Sequence, residues 1–199
     1  MALTPSNTIL ILPGWHNSGP EHWQTRWELS HGYQRVQQHD WDRPLRGDWL
    51  IQLEESVLAS AKSVVLVAHS LACIQVAAWA AHSRNTNRVH AALLVAPSDV
   101  ESAPLREQLP GWSPIERQAL PFSSRMVASR NDPYCSFERA IGLARDWGCP
   151  LTDAGNAGHI NAQANLGDWP FGHALLLELM LPKQQPPDAQ ATDRMTLSS

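Results

Sequence analysis

The 199-residue chain carries a formal charge of −4, with 43% hydrophobic and 17% charged residues, a composition suited to one soluble globular domain and too short for two ordinary ones. It holds no run of the ~18 apolar residues a membrane helix needs and no basic block for gripping a phosphate backbone, so neither a membrane nor a nucleic acid is an expected partner. Met1 to Ile11 lacks a basic segment followed by an apolar one, which points to a cytoplasmic location; Cys73, Cys135 and Cys149, odd in number and widely spaced, read as reduced thiols.

Along the chain, short apolar runs alternate with segments of helical character, the rhythm of βα units and a parallel sheet covered on both faces. The first strand is expected at Thr8–Leu12, then a helix at Pro20–Glu28, a second strand at Tyr33–Gln37 and a helix at Asp48–Ala61. The third strand, Ser63–Ala68, is continuously apolar rather than alternating, as befits the buried centre of a parallel sheet, and it leads into a helix at Leu71–His82. A fourth strand is expected at Val89–Ala96. From there Pro97, Pro104, Pro110, Pro114 and Pro121 exclude one long helix and predict an irregular flap over 97–121. Strands at Ser124–Ser129 and Cys149–Thr152 and helices at Phe137–Trp147 and Phe171–Leu181 complete the expected domain, residues 1–181. Pro182 to Ser199 is polar and rich in Pro and Gln, and is expected to form a flexible tail. The fold class is α/β, a three-layer α/β/α sandwich on a mainly parallel sheet of about six strands.

The third strand ends in Ala68-His69-Ser70-Leu71-Ala72, immediately before good helix formers. Strand, serine, helix is the elbow arrangement: a sharp turn lifts the hydroxyl above the strand ends and puts the Leu71 N–H at a helix N-terminus, where it can serve an oxyanion. The usual pattern has glycine two residues before and two after the serine, and here both are alanine, Ala68 and Ala72. In such a fold an acid and then a histidine follow the serine in the chain, each from a loop at the carboxyl end of a strand. Asp132 lies at a turn stopped by Pro133, and His159 in the glycine-containing loop Ala154 to Asn161. Asp99, after the fourth strand, is an alternative acid; Asp153, just before the histidine loop, is better suited to satisfying donors in its own turn. His22, His31, His39, His82, His90 and His173 lie on helices, helix ends or strand flanks, and His69 lies within the elbow. The combination has a chemical reason. A serine hydroxyl is a weak nucleophile until a neutral imidazole takes its proton, and a carboxylate must hold that imidazole in one tautomer.

The loop Pro13 to Pro20 follows the first strand, and its Gly14 permits close backbone approach, so the Trp15 N–H is the expected second oxyanion donor. Of the nine tryptophans, those on helices read as core, whereas Trp15 and Trp112 fall in loops on the catalytic face and, with His16, are expected to bound a substrate pocket. Cys73, one helical turn after Ser70, has no base of its own and reads as a small buried hydrophobe.

These motifs resemble the small serine hydrolases related to retinoblastoma-binding protein 9 and the bacterial YdeN-like proteins. The resemblance runs over most of residues 8–180 and is carried by Leu12-Pro13-Gly14-Trp15 with Asn17 through Trp23, Asp40-Trp41 with Pro44, Ala68 through Cys73, Ser129 through Pro133, and Gly158-His159-Ile160-Asn161. It implies a minimal α/β-hydrolase fold without a large lid, a strand order of 2-1-3-4-5-6, a triad of Ser70, Asp132 and His159, and no metal or organic cofactor. The chain departs from the family pattern at Ala72, where glycine is usual.

The expected activity is cleavage of small ester-like acyl substrates through an acyl-enzyme, with thioesterase or peptidase chemistry left open and no protein partner indicated. An open site with little lid suits short acyl chains. The competing class is a binding protein on the same scaffold, in which the flap or the Trp15 loop grips a ligand and Ser70 is idle. A dinucleotide-binding domain is disfavoured, because the Pro13 to Pro20 turn lacks the glycine spacing that cradles a pyrophosphate.

Overall fold

The computed structural model describes residues 7–181; the expected tail from Pro182 onward lies outside the described residues. Six parallel strands form one sheet in the order β2-β1-β3-β4-β5-β6. They are β1 (Asn7–Leu12), β2 (Gln34–Arg35), β3 (Ser63–His69), β4 (Val89–Val95), β5 (Ser123–Ala128) and β6 (Leu151–Asp153). The helices are α1 (Trp23–His31), α2 (Arg46–Ala59), α3 (Leu71–His82), α4 (Ala103–Gln108), α5 (Phe137–Asp146) and α6 (Pro170–Met180), with short 3₁₀ turns at Thr86–Arg88 and Ala162–Ala164.

Successive side chains of a strand point to opposite faces, and β3 feeds two cores accordingly. Val64, Leu66 and Ala68 enter a cluster with α2, α3 and α5, while Val65 and Val67 enter a second with Trp23 and Trp27 of α1 and Leu175 and Leu176 of α6. The strand is buried from Val64 onward, so its uninterrupted apolar run has a direct physical cause.

Three expected elements differ from those observed. The α1 helix starts at Trp23 rather than Pro20, because the His22 ring accepts the Gln24 N–H and caps the helix there. Strand β2 has two residues instead of five: it is an edge strand that pairs only at Leu10 and Ile11, after which the chain leaves the sheet to bring Trp41 and Asp42 over the loop following β1. The stretch 97–121 is largely irregular but contains α4, which accommodates Pro104 in its first turn, where a missing N–H leaves no intrahelical bond unmade. Among the described residues no helix is long and apolar enough to cross a membrane.

Candidate active site

The carboxyl ends of β1, β3, β4 and β5 and the loop after β6 converge on one cleft of about 470 Å³. At its floor, Ser70 is held between β3 and α3 with φ 59° and ψ −122°. That conformation is costly for a residue with a side chain, of the order of 1–3 kcal/mol, and is secured by the buried surroundings and by the Ser70 N–H donating to the Val95 carbonyl at 2.9 Å. Ala68 and Ala72 on either side are fully buried. The close approach falls on Gly14 instead: a Cβ there would sit 2.7 Å from the Ser70 Cβ and 2.9 Å from the His69 carbonyl oxygen. The first loop thus lies directly against the elbow because Gly14 has no side chain.

His159 reaches this floor from the loop after β6. Its Nε2 is 2.8 Å from Ser70 Oγ, and its Nδ1 lies 3.0 Å and 2.9 Å from the two carboxylate oxygens of Asp132. The carboxylate is nearly buried, with 3% of its side chain exposed, and also accepts the Tyr134 N–H. Asp99 and Asp153 are committed elsewhere. Asp99 accepts from Arg139 and from the Glu101 N–H, and Asp153 pairs with Arg130 and accepts the Gly155 N–H.

The protons can be placed from these contacts. A carboxylate at both distances requires the hydrogen on His159 Nδ1, so Nε2 is the acceptor and takes the Ser70 hydroxyl proton. Ser70 Oγ also lies 2.8 Å from Ser98 Oγ, and Ser98 is 4% exposed. With the Ser70 proton already donated, Ser98 is the donor to Ser70 Oγ. Sequence reasoning missed Ser98; its place in the loop after β4, at the same carboxyl end of the sheet as the elbow, is the signal that could have found it.

Two further groups hold the His159 loop. The buried His69 donates from Nε2 to the His159 carbonyl at 2.9 Å, and Trp23 Nε1 donates to the Ile160 carbonyl at 2.8 Å. His22, His69 and His159 form a run of rings with centroids 4.8 Å and 4.9 Å apart. Burial, reinforced by the neighbouring imidazoles, lowers the His22 pKa to about 3 and holds His69 well below the usual histidine range, so both are neutral near pH 7. Cys73 is buried beside Ser70, and loss of solvation pushes its thiol far above the usual range, so it stays protonated.

Trp15 and His16 line the cleft mouth, stacked at 4.2 Å. The segment after β2 braces them: Trp15 Nε1 donates to the Asp42 carbonyl, His16 Nδ1 is 2.9 Å from the Asp42 carboxylate, and the His16 N–H donates to the Trp41 carbonyl. Among the described residues no protein acceptor takes the Trp15 N–H, and the Leu71 N–H opens α3, where a helix leaves donors without partners. Trp112 corrects the expectation for it. It is fully buried, donates from Nε1 to the Pro44 carbonyl at 2.8 Å and packs edge-on against Trp49, so it belongs to the core and does not line this cleft. Tyr134, not singled out from the sequence, lines the cleft with its ring centroid 4.5 Å from that of His159. Among the described residues no group of three or more His, Cys, Asp or Glu side chains is placed to hold a metal ion.

A parallel sheet covered on both faces, with a serine on a strained strand-to-helix turn and a histidine and carboxylate in line behind it, defines an α/β-hydrolase. The chain belongs to the Serine hydrolase family, whose model matches residues 9–178. It is similar to a YdeN-like hydrolase of Pectobacterium atrosepticum, at 28% identity and a TM-score of 0.78 over 88% of this chain and 91% of that one. The ydeN gene product of Bacillus subtilis is 20% identical with a TM-score of 0.70, covering 87% of this chain and 98% of that one. Thermogutta terrifontis esterase 2 shares the fold at 18% identity and a TM-score of 0.62, over 92% of this chain and 89% of that one. No curated protein matches the chain.

Proposed function

We propose that the protein hydrolyses small ester-like acyl substrates, with Ser70 as nucleophile, His159 as general base and then acid, and Asp132 as the group that fixes the imidazole. The observation that carries this reading is the unbroken proton path from Ser70 Oγ through His159 to the buried Asp132 carboxylate, with contacts of 2.8 to 3.0 Å. Ser70 Oγ attacks the ester carbonyl carbon as its proton passes to His159 Nε2, and the Leu71 and Trp15 N–H groups stabilise the oxyanion. The carbon–oxygen bond to the alcohol then breaks, and the alcohol leaves with the proton from His159. Water attacks the resulting acyl-serine, gives its proton to His159, and Ser70 recovers that proton as the carboxylic acid departs.

Intact-mass labelling with a fluorophosphonate probe tests the reading, since the probe reports an activated serine whatever its natural substrate. One adduct is expected, absent in Ser70→Ala, slowed about 1000-fold or more in His159→Ala and in Asp132→Asn. A folded native protein that takes no label would instead support a binding role on this scaffold.

A further inference from the structure

Resting on the hydrolase reading above, we infer that the preferred substrate is an uncharged ester joining a short apolar acyl group to an alcohol that carries further hydroxyl or amide groups. Two properties of the cleft support this. None of its lining residues is Asp, Glu, Lys or Arg. An ionised substrate group buried there would lose water without meeting an opposite charge, a cost that an amide or hydroxyl largely avoids.

The second property is that the two walls differ in chemistry. One is the α4 side, where Leu105 and Leu109, one helical turn apart, belong to the core cluster of α2, α3 and α5 and form its apolar part, with the exposed Gln108 between them in sequence. The other is the segment around His159, whose Ile160 belongs to the opposite core cluster; it presents Asn161 and Gln163, and Tyr134 from the loop after β5 lies beside the His159 ring. Ser70 lies between them. The leaving oxygen must take its proton from His159 Nε2, so the alcohol half of the ester has to lie on the His159 side. There it meets the polar side chains of Tyr134, Gln163 and Asn161, the last with its Oδ1 already occupied by the Gln163 N–H. The acyl half is left for the leucine wall. Leu105 and Leu109 are 5% and 2% exposed, embedded in a packed core that limits how far an acyl chain can extend.

The test is kcat/KM by pH-stat on four esters, after fluorophosphonate labelling has shown the serine to be active: glycerol monobutyrate, pentyl butyrate, choline butyrate and glycerol monodecanoate. The glycerol butyrate is expected to exceed each of the others by about tenfold or more, the size of one to two satisfied neutral hydrogen bonds or of one excluded charge. Gln163→Leu, on an exposed side chain, is expected to narrow the ratio of glycerol to pentyl butyrate severalfold through KM. Labelled protein that turns over any of the other three esters as well as glycerol butyrate, or none of the four, overturns the inference while leaving an active serine established. Failure of the native protein to label overturns the hydrolase reading and this inference with it.

Discussion

Ser98 supplies a donor that the proton arrangement makes one-directional. Because His159 accepts the only Ser70 proton, the Ser98 hydroxyl points at a lone pair of Ser70 Oγ, 2.8 Å away. It holds the nucleophile's rotamer for attack. A neutral hydrogen bond has a net worth of about 0.5–1.5 kcal/mol, so Ser98→Ala is expected to slow fluorophosphonate labelling about 2- to 12-fold, with Ser98→Thr near native. Equal second-order labelling rates for the native and alanine proteins would remove Ser98 from the reaction. Gly14 permits a sharper prediction. The atoms its substituent would meet are the Ser70 Cβ and a backbone oxygen, neither at the end of a flexible side chain, so either the first loop or the elbow must move. Gly14→Ala is expected to keep native-like circular dichroism and lose about 100-fold in labelling rate, as when an oxyanion donor is displaced.

The same residues show where sequence reading stops. Chain order and turn chemistry singled out Ser70, Asp132 and His159, and the structure brings the three into contact. Asp99 could be set aside only once Arg139 was seen to occupy it, because an ion pair between positions forty apart leaves no local signature. Trp112 misled for a related reason: a tryptophan in a proline-rich stretch resembles a loop aromatic, and its burial depends on α2 and Pro44, distant in sequence.

Helices and strands with strong periodicity were legible to within a few residues, and α3 was placed at Leu71–His82 as observed. The weak ones, β2 and α4, are fixed by tertiary contacts: β2 by its two-residue pairing with β1, α4 by seating Leu105 and Leu109 in the core. One such contact ties α2 to the end of α3. The Glu54 carboxylate accepts from Trp79 Nε1 at 2.5 Å, from Ser83 Oγ at 2.8 Å and from Asn85 Nδ2 at 2.6 Å. These bonds hold its pKa below the usual range despite partial burial. Glu54→Ala leaves three donors without that acceptor far from the cleft. A loss of about 2 kcal/mol in urea unfolding is expected, with an unchanged labelling rate.

Across the molecule, the sheet order brings segments distant in sequence into one buried row of imidazoles: His22 before α1, His69 at the end of β3 and His159 after β6. No local pattern announces such a row, since each ring lies near the end of a different element and only the crossovers juxtapose them. Its consequence is a pH dependence of stability. His22 falls from 6.5 to about 3 on folding, and His69 also falls well below 6.5, in both cases chiefly through burial. Between those values the unfolded chain binds protons that the folded protein refuses. Stability is therefore fully present above about pH 6.5 and declines as the pH drops toward the folded values, by up to about 1.4 kcal/mol per pH unit for each ring. Carboxylates with depressed values, such as Glu54 and Glu101, act in the same direction, but their contribution is lost around and below the ordinary glutamate value of 4.5, so pH 5 to 6.5 isolates the histidines. His22→Asn keeps an N-cap side chain for α1 while removing one titrating ring. Urea-unfolding free energies of the native protein are expected to fall steadily from about pH 6.5 to pH 5, and the His22→Asn slope to be smaller by close to one proton. Equal slopes for the two proteins would mean that His22 binds its proton in the folded state and that the imidazole row is not kept neutral by burial.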